Sequence, residues 1–399
     1  MNSECLIEWT QNDVLHTACW QSANGSPPPA KVLLADDTLG ADLAYRLACE
    51  GTALLWQGDF QNARQLLQAL ARRCDALPRP GSRRGRTAGK RETAAAKLAV
   101  DTAVAPLAEA PARLFHRHRQ ARAQRARVLG MLLIPFDSAY GIPLRRAPDV
   151  QQACMEAYGK KSPAFVMSLR ELLGVIGGHE WRVKGVQIPV LQARIHPHYG
   201  VFSPVRGEYI DLVAQAPLPA STLAFDIGTG SGVLAAVLAQ RGVARIVATD
   251  SDPRALECAR DNMRRLGYAS QVEVVDADLF PPGRAPLIVC NPPWLPATPS
   301  AAIEHAIYDP DSRMLKGFLN GLAEHLTPQG EGWLILSDFA EHLGLRSADQ
   351  LAQWIAQAGL HVVHRQDIRP RHPGATDASD PLHAARAAEV TSLWRLAVR

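Results

Sequence analysis

Short apolar runs that each close on a polar residue mark the second half of the chain. Leu223-Ala224-Phe225 runs into Asp226, Arg245 to Thr249 ends on Asp250, Val272 to Val275 leads to Asp276-Ala277-Asp278, and Leu287 to Cys290 stops at Asn291. Runs of this length predict buried strands. Val233 to Arg241, dominated by alanine, leucine and valine, predicts a helix between the first two. Strand and helix in alternation point to an α/β sheet. Further on, the pattern predicts a helix over 315–326, a turn at Thr327-Pro328-Gln329-Gly330 and a strand from Gly332 to Ser337. A helix near 348–358 and strands over 360–366 and 391–398 follow, the last two joined by a long polar insertion at 369–389.

The first half reads differently. Over 31–75, Leu43, Leu47, Leu54, Leu55, Leu66, Leu67 and Leu70 fall at spacings that suit apolar helix faces, which predicts a helical N-terminal region over 1–78. Residues 79–111 open with a run rich in proline, glycine and arginine and without apolar period, as expected of a basic flexible linker. Residues 112–195 predict a second helical region: a basic helix from Arg113 to Ile134, one or two helices over 149–177, and a β-hairpin around Gly185. The α/β part then occupies 196–399, giving four segments in all.

Composition narrows the class. With 47% hydrophobic and 21% charged residues the chain has the balance of a globular protein. No uninterrupted apolar run reaches the roughly 20 residues of a membrane span, and MNSECLIEWTQND lacks a signal peptide's basic start and apolar core. Seven cysteines, an odd number without a CxxC pair, predict reduced thiols in a cytoplasmic setting and no zinc site. His196 and His198 have no third ligand at a useful spacing, so no metal is expected. The net charge of +4 is unevenly spread: residues 79–127 hold eleven arginines and two lysines against three acids, so the rest of the chain is net acidic. Such a segment is either a solvated face or an electrostatic platform for nucleic acid.

Two motifs carry chemistry. Asn291-Pro292-Pro293-Trp294 ends an apolar strand. Proline has no N–H and a fixed φ, and the first proline also holds Asn291 out of the helical region. The Pro292 carbonyl and the Asn291 amide oxygen then offer two acceptors beside the flat face of Trp294. That set suits a planar nitrogen bearing N–H bonds, a carboxamide or an exocyclic base amine. Sixty-five residues upstream, Asp226-Ile227-Gly228-Thr229-Gly230-Ser231-Gly232 joins a strand to a helix. Its GxGxG spacing departs from the GxGxxG of dinucleotide sites, yet alternate glycines still permit a tight turn and close approach of a ligand. Asp250, at the end of the next strand, stands where doubly wound folds hold a ribose diol.

These stretches, DIGTGSGVLAAVLA, ATDSDPRALECARDN, VVDADLF and VCNPPW, resemble the class I S-adenosylmethionine-dependent methyltransferases. Within them the chain is similar to the small methyltransferase group with an NPP[FYW] motif, and most of all to the HemK-type glutamine N5-methyltransferases. The resemblance implies a Rossmann-like seven-stranded domain, preceded by a mainly helical N-terminal domain that recognises substrate, and S-adenosylmethionine as cofactor. It implies that Asp226, Gly228, Thr229, Gly230 and Gly232 surround the methionine part, that Asp250 holds the ribose, and that Asp278 lies by the adenine amine. Asn291 and Pro292, with Pro293 and Trp294, would grip the target nitrogen. Phe202 and Glu208 are further candidates, from a segment lining the cofactor pocket. Two departures bear on substrate: the family's PRPETE-like segment is here Phe202-Ser203-Pro204-Val205-Arg206-Gly207-Glu208-Tyr209, and its usual tyrosine after the prolines is Trp294. The expected partner is macromolecular, a protein glutamine first and an adenine or other base of RNA or DNA second, with no membrane involved.

Overall fold

The computed structural model describes residues 5–76, 110–160, 163–299, 304, 306–371 and 377–399. The linker expected over 79–111 therefore lies outside the described residues but for its last two.

Residues before 196 build a sheet of their own. A hairpin of β1 (Leu6–Gln11) and β2 (Val14–Trp20) turns at Asn12 and Asp13, at φ 50° and 61°, left-handed values that match the twist of paired strands. There follow β3 (Lys31–Ala35), α1 (Ala41–Cys49), β4 (Thr52–Trp56), α2 (Phe60–Ala76), α3 (Pro111–Leu129), β5 (Leu132–Phe136), α4 (Gln151–Tyr158), β6 (Phe165–Ser168) and α5 (Leu169–Lys184). The strands stand in the order β1-β2-β6-β5-β4-β3.

This corrects the expectation of a mainly helical N-terminal part. Every residue of β4 is buried, and β5 is buried at four of its five positions. A strand covered on both faces shows no alternation, so its leucines imitate a helix: Leu54 and Leu55 belong to β4, whereas Leu66, Leu67 and Leu70 lie on α2. Residues 1–78 and 112–195 are also not separate units, because β5 pairs with β4 and β6 with β2. Gly185 is the C-cap of α5, at φ 68°, and the expected hairpin, β7 (Val186–Ile188) with β8 (Ala193–Ile195), begins after it.

The remaining elements are α6 (Glu208–Gln215), β9 (Leu223–Ile227), α7 (Val233–Gln240), β10 (Arg245–Asp250), α8 (Pro253–Leu266), β11 (Val272–Asp276), β12 (Ala285–Cys290), α9 (Arg313–His325), β13 (Leu326–Ser337), α10 (Phe339–His342), α11 (Gln350–Gln357), β14 (Leu360–Ile368), α12 (His383–Ala388) and β15 (Thr391–Val398). Their sheet has the order β11-β10-β9-β12-β13-β15-β14. β15 runs antiparallel between β13 and β14, while the other pairs are parallel. The turn expected at 327–330 is absorbed into β13, where the register against β12 shifts and Gln329 sits at φ 68°. Val233 to Ala239 is buried at every position, as a helix apolar all round must be.

One apolar cluster ties the two sheets together: Phe115 of α3 packs with Leu295, Tyr308, Phe339, Leu343 and Leu382. Phe115 is 2% exposed, and burying such a ring stabilises by about 1.5–3 kcal/mol. The basic helix is thereby fixed over the carboxyl ends of the second sheet's strands.

Candidate active site

Strand register brings the two motifs side by side. Cys290 pairs with Ile227, and Thr249 pairs with Ile227 from the other side. Gly228, Asp250 and Asn291 are therefore the next residues out of three adjacent strands. Chain connections diverge on either side of β9, and in open α/β sheets ligands bind in the crevice outside the strands' carboxyl ends at such a point.

The turn after β9 is built by its glycines and by Asp226. Gly228, Gly230 and Gly232 take φ of 69°, 56° and 81°, all left-handed, which only glycine adopts without penalty. Asp226 is 1% exposed; its Oδ2 accepts from Thr229 Oγ1 at 2.6 Å and from the Ala235 N–H at 3.1 Å. Burial pushes its carboxyl up to about 6, against those two hydrogen bonds. Asp250 Oδ2 accepts from the Gly230 N–H at 3.0 Å and Oδ1 from the Asp252 N–H at 3.0 Å; burial raises its pKa as well. Each Asp250 oxygen keeps a lone pair for a ligand hydroxyl.

The Asn291 side chain is held from within its own motif. Trp294 Nε1–H donates to Asn291 Oδ1 at 2.9 Å. Because indole nitrogen only donates, the oxygen of the amide must face it. A cavity of about 1570 Å³ opens in front and is lined by Gly228, Thr229, Gly230, Asp250, Asp278 and the whole Asn291–Trp294 turn. Nothing stands within 4 Å of where a Cβ on Gly230 would point, so the turn leaves room for a ligand there.

A family model, "methyltransferase small domain", matches residues 192–358. The tRNA1(Val) (adenine(37)-N6)-methyltransferase of Shewanella loihica is 30% identical over 176 residues, 41% of this chain and 70% of the relative. The chain belongs to the methyltransferase small domain family. The release factor glutamine methyltransferase of Cereibacter sphaeroides is 34% identical over 172 residues, 40% of this chain, which spans 59% of that relative's length. Among solved structures, a methyltransferase from Pyrococcus furiosus aligns at TM-score 0.38 and 18% identity, covering 56% of this chain and 98% of that one. S-adenosylmethionine is the family's cofactor.

Set against that family, the residues expected at the site divide in two. Gly228, Thr229, Gly230, Asp250, Asp278 and Asn291 to Trp294 line the cavity, as does Phe202. Asp226 and Gly232 stand behind its wall: Asp226 braces the turn, and a Cβ on Gly232 would press on Ala259 of α8. Glu208 accepts from the Arg371 N–H at 2.6 Å and is 9% exposed, away from the cavity lining. Asp278 is engaged by Arg313 at 2.7 Å, an exposed pair. Cys290 is fully buried in its strand, and burial pushes its thiol up. His196 and His198 meet Arg182 and Asp261 instead of each other.

Sequence reasoning missed the opposite wall. Phe115, His118, Arg119 and Arg122 of α3 face the cavity, a stripe at i, i+3, i+4 and i+7 on one helix face. Arg119 donates to the Thr298 carbonyl and lies 4.4 Å over the Tyr308 ring, while Arg125 pairs with Asp75 at 3.0 Å. The i, i+3, i+4, i+7 spacing was present in the sequence; what it faces was not. Among the described residues no helix is long and apolar enough to cross a membrane.

Proposed function

We propose that the chain is an S-adenosylmethionine-dependent N-methyltransferase whose acceptor is a planar nitrogen bearing N–H bonds, a protein glutamine side chain first. The observation that carries this reading is the Asn291–Trp294 turn standing beside the glycine turn at one sheet edge. Gly228, Thr229 and Gly230 would hold the methionine part of the cofactor and Asp250 its ribose, with Asp278 near the base. When bound, the cofactor supplies a methyl group on a sulfonium sulfur.

The protein's part is placement. A carboxamide nitrogen is a weak nucleophile because its lone pair is delocalised into the carbonyl. Asn291 Oδ1 has one lone pair left after Trp294, and the Pro292 carbonyl offers another acceptor. Together they orient the nitrogen and stabilise the positive charge that grows on it, which is catalysis by orientation and electrostatics. Asn291 does not titrate, so this contribution is independent of pH near neutrality. The odd number of cysteines, without a CxxC pair, supports a reducing, cytoplasmic setting.

A second reading, an adenine N6 or other base amine of RNA or DNA, is favoured by α3, which carries six arginines and no acid and walls the cavity. Arg119, Arg125 and Arg127 are committed to internal contacts, which keeps glutamine first. The relatives named above divide the same way, one glutamine-directed and one adenine-directed. Labelling a lysate with radioactive S-adenosylmethionine and the purified protein, then digesting with protease or with RNase and DNase, separates them. Label released by protease is expected; label released only by the nucleases would reverse the order.

A further inference from the structure

We propose that Glu389 and Arg206 form a subsite for an amide edge, an N–H beside a carbonyl, on the protein segment that carries the methylated glutamine. This rests on the glutamine reading above. Glu389, between α12 and β15, is 2% exposed and lines the cavity. Its Oε1 accepts from Ser337 Oγ at 2.7 Å, but its Oε2 is buried without a hydrogen-bond partner. An unsatisfied buried acceptor costs about 1–3 kcal/mol, a penalty that a ligand supplying a donor removes.

Arg206 faces the same cavity from the segment that departs from the family pattern. It is half-buried and makes no hydrogen bond or ion pair among the described residues, although Glu389 is among the charges acting on it. Arg386, the other nearby guanidinium, is taken by Asp380 and lies 5.0 Å over the Phe339 ring. Beside β15, among the described residues, this leaves Glu389 Oε2 and the Arg206 guanidinium as the charged groups without a hydrogen-bond or ion-pair partner.

Sheet order places this pair. Ser337 of β13 pairs with Thr391 of β15, and β13 neighbours β12. The subsite accordingly flanks Asn291 on the side opposite Asp250. An amide presents one donor and one acceptor: its N–H suits Glu389 Oε2, and its carbonyl suits the Arg206 guanidinium. The pair is neutral overall, which matches a neutral edge. A phosphodiester would satisfy Arg206 but meet the buried negative charge of Glu389.

The test is saturation-transfer difference NMR on the full chain loaded with S-adenosylhomocysteine, with N-acetylglutamine N-methylamide and adenosine 5′-monophosphate as separate probes. The wild-type protein is expected to give the amide probe a signal that falls at least about fivefold in Glu389→Leu and in Arg206→Met, with S-adenosylhomocysteine affinity unchanged by calorimetry. Leucine replaces a buried charge with apolar bulk, a change proteins commonly tolerate; Arg206→Met, at a half-buried position, keeps the test intact should the first variant fail to fold. Equal amide signals in wild type and variants overturn the subsite and leave the glutamine reading standing. A response to the nucleotide in place of the amide overturns that reading and the subsite together, and silence from both probes overturns the subsite.

Discussion

Trp294→Phe isolates one hydrogen bond at the acceptor corner. Phenylalanine keeps an aromatic face but has no N–H, so Asn291 Oδ1 loses the donor that stands 2.9 Å away. A neutral hydrogen bond contributes about 0.5–1.5 kcal/mol net, and here its loss also frees the Asn291 amide to rotate. About 1–2 kcal/mol of transition-state stabilisation should go, which is roughly a 5- to 30-fold fall in kcat. Trp294 packs against clusters on both faces of the sheet, so some stability goes as well, about 1 kcal/mol for the smaller ring. The assay is transfer of labelled methyl into the acceptor fraction of a lysate, with cofactor affinity measured separately by calorimetry and expected to hold. The decisive arrangement is a double-mutant cycle with Asn291→Ala. If Trp294 acts through Asn291, its replacement changes nothing further once Asn291 is gone. An equal loss in both backgrounds would refute the reasoning, as would an unchanged kcat in the single variant.

Three other outcomes follow from the geometry. Asp250→Ala should raise the S-adenosylmethionine dissociation constant by about 10- to 100-fold, the worth of one or two hydrogen bonds to a charged group, as read by calorimetry; an unaltered constant counts against the ribose role. Asp226 has a folded pKa of about 6 against about 3.9 unfolded, so the folded state binds the proton more tightly and stability rises as pH falls from about 7 to 4, by at most about 3 kcal/mol from this group. Urea titrations of Asp226→Asn and wild type across that range should show the slope reduced in the variant, and parallel curves would contradict it. Arg119→Ala removes the contacts to Thr298 and Tyr308 and should lower stability by about 1 kcal/mol, which the same titrations measure; no change would mean that these contacts do not hold α3 in place.

The second sheet was legible because three of its adjacent strands, β9, β10 and β12, end on or beside residues that chemistry requires. Gly228, Asp250 and Asn291 follow strands whose apolar content is continuous, and their spacing fixes strand–helix–strand order without knowledge of packing. The first sheet was not legible for the converse reason. Thr52 to Trp56 and Leu132 to Phe136 are buried on both faces, so neither alternation nor helical period distinguishes them, and they pair with each other from opposite sides of the linker. Within the site, the motif residues were readable, but their division of labour was not. Asp226 and Gly232 share the turn with Gly230 yet serve it from behind. Glu389 carries no motif at all, and only the closing of β15 against β13 brings it to the cavity. The arginines of α3 were visible as charge, while their position over the site depends on Phe115 finding Tyr308 and Leu382.

In the proposed reaction the Asn291–Trp294 corner directs a methyl group onto an amide nitrogen. Acid hydrolysis of the protein fraction after transfer from S-adenosylmethionine labelled in its methyl group tests it most directly, because an N-methylated carboxamide releases its label as methylamine. Wild-type protein is predicted to yield labelled methylamine and Asn291→Ala none. Label recovered on carbon, on oxygen or on a nucleobase, or methylamine formed equally by the Asn291→Ala protein, would contradict the account.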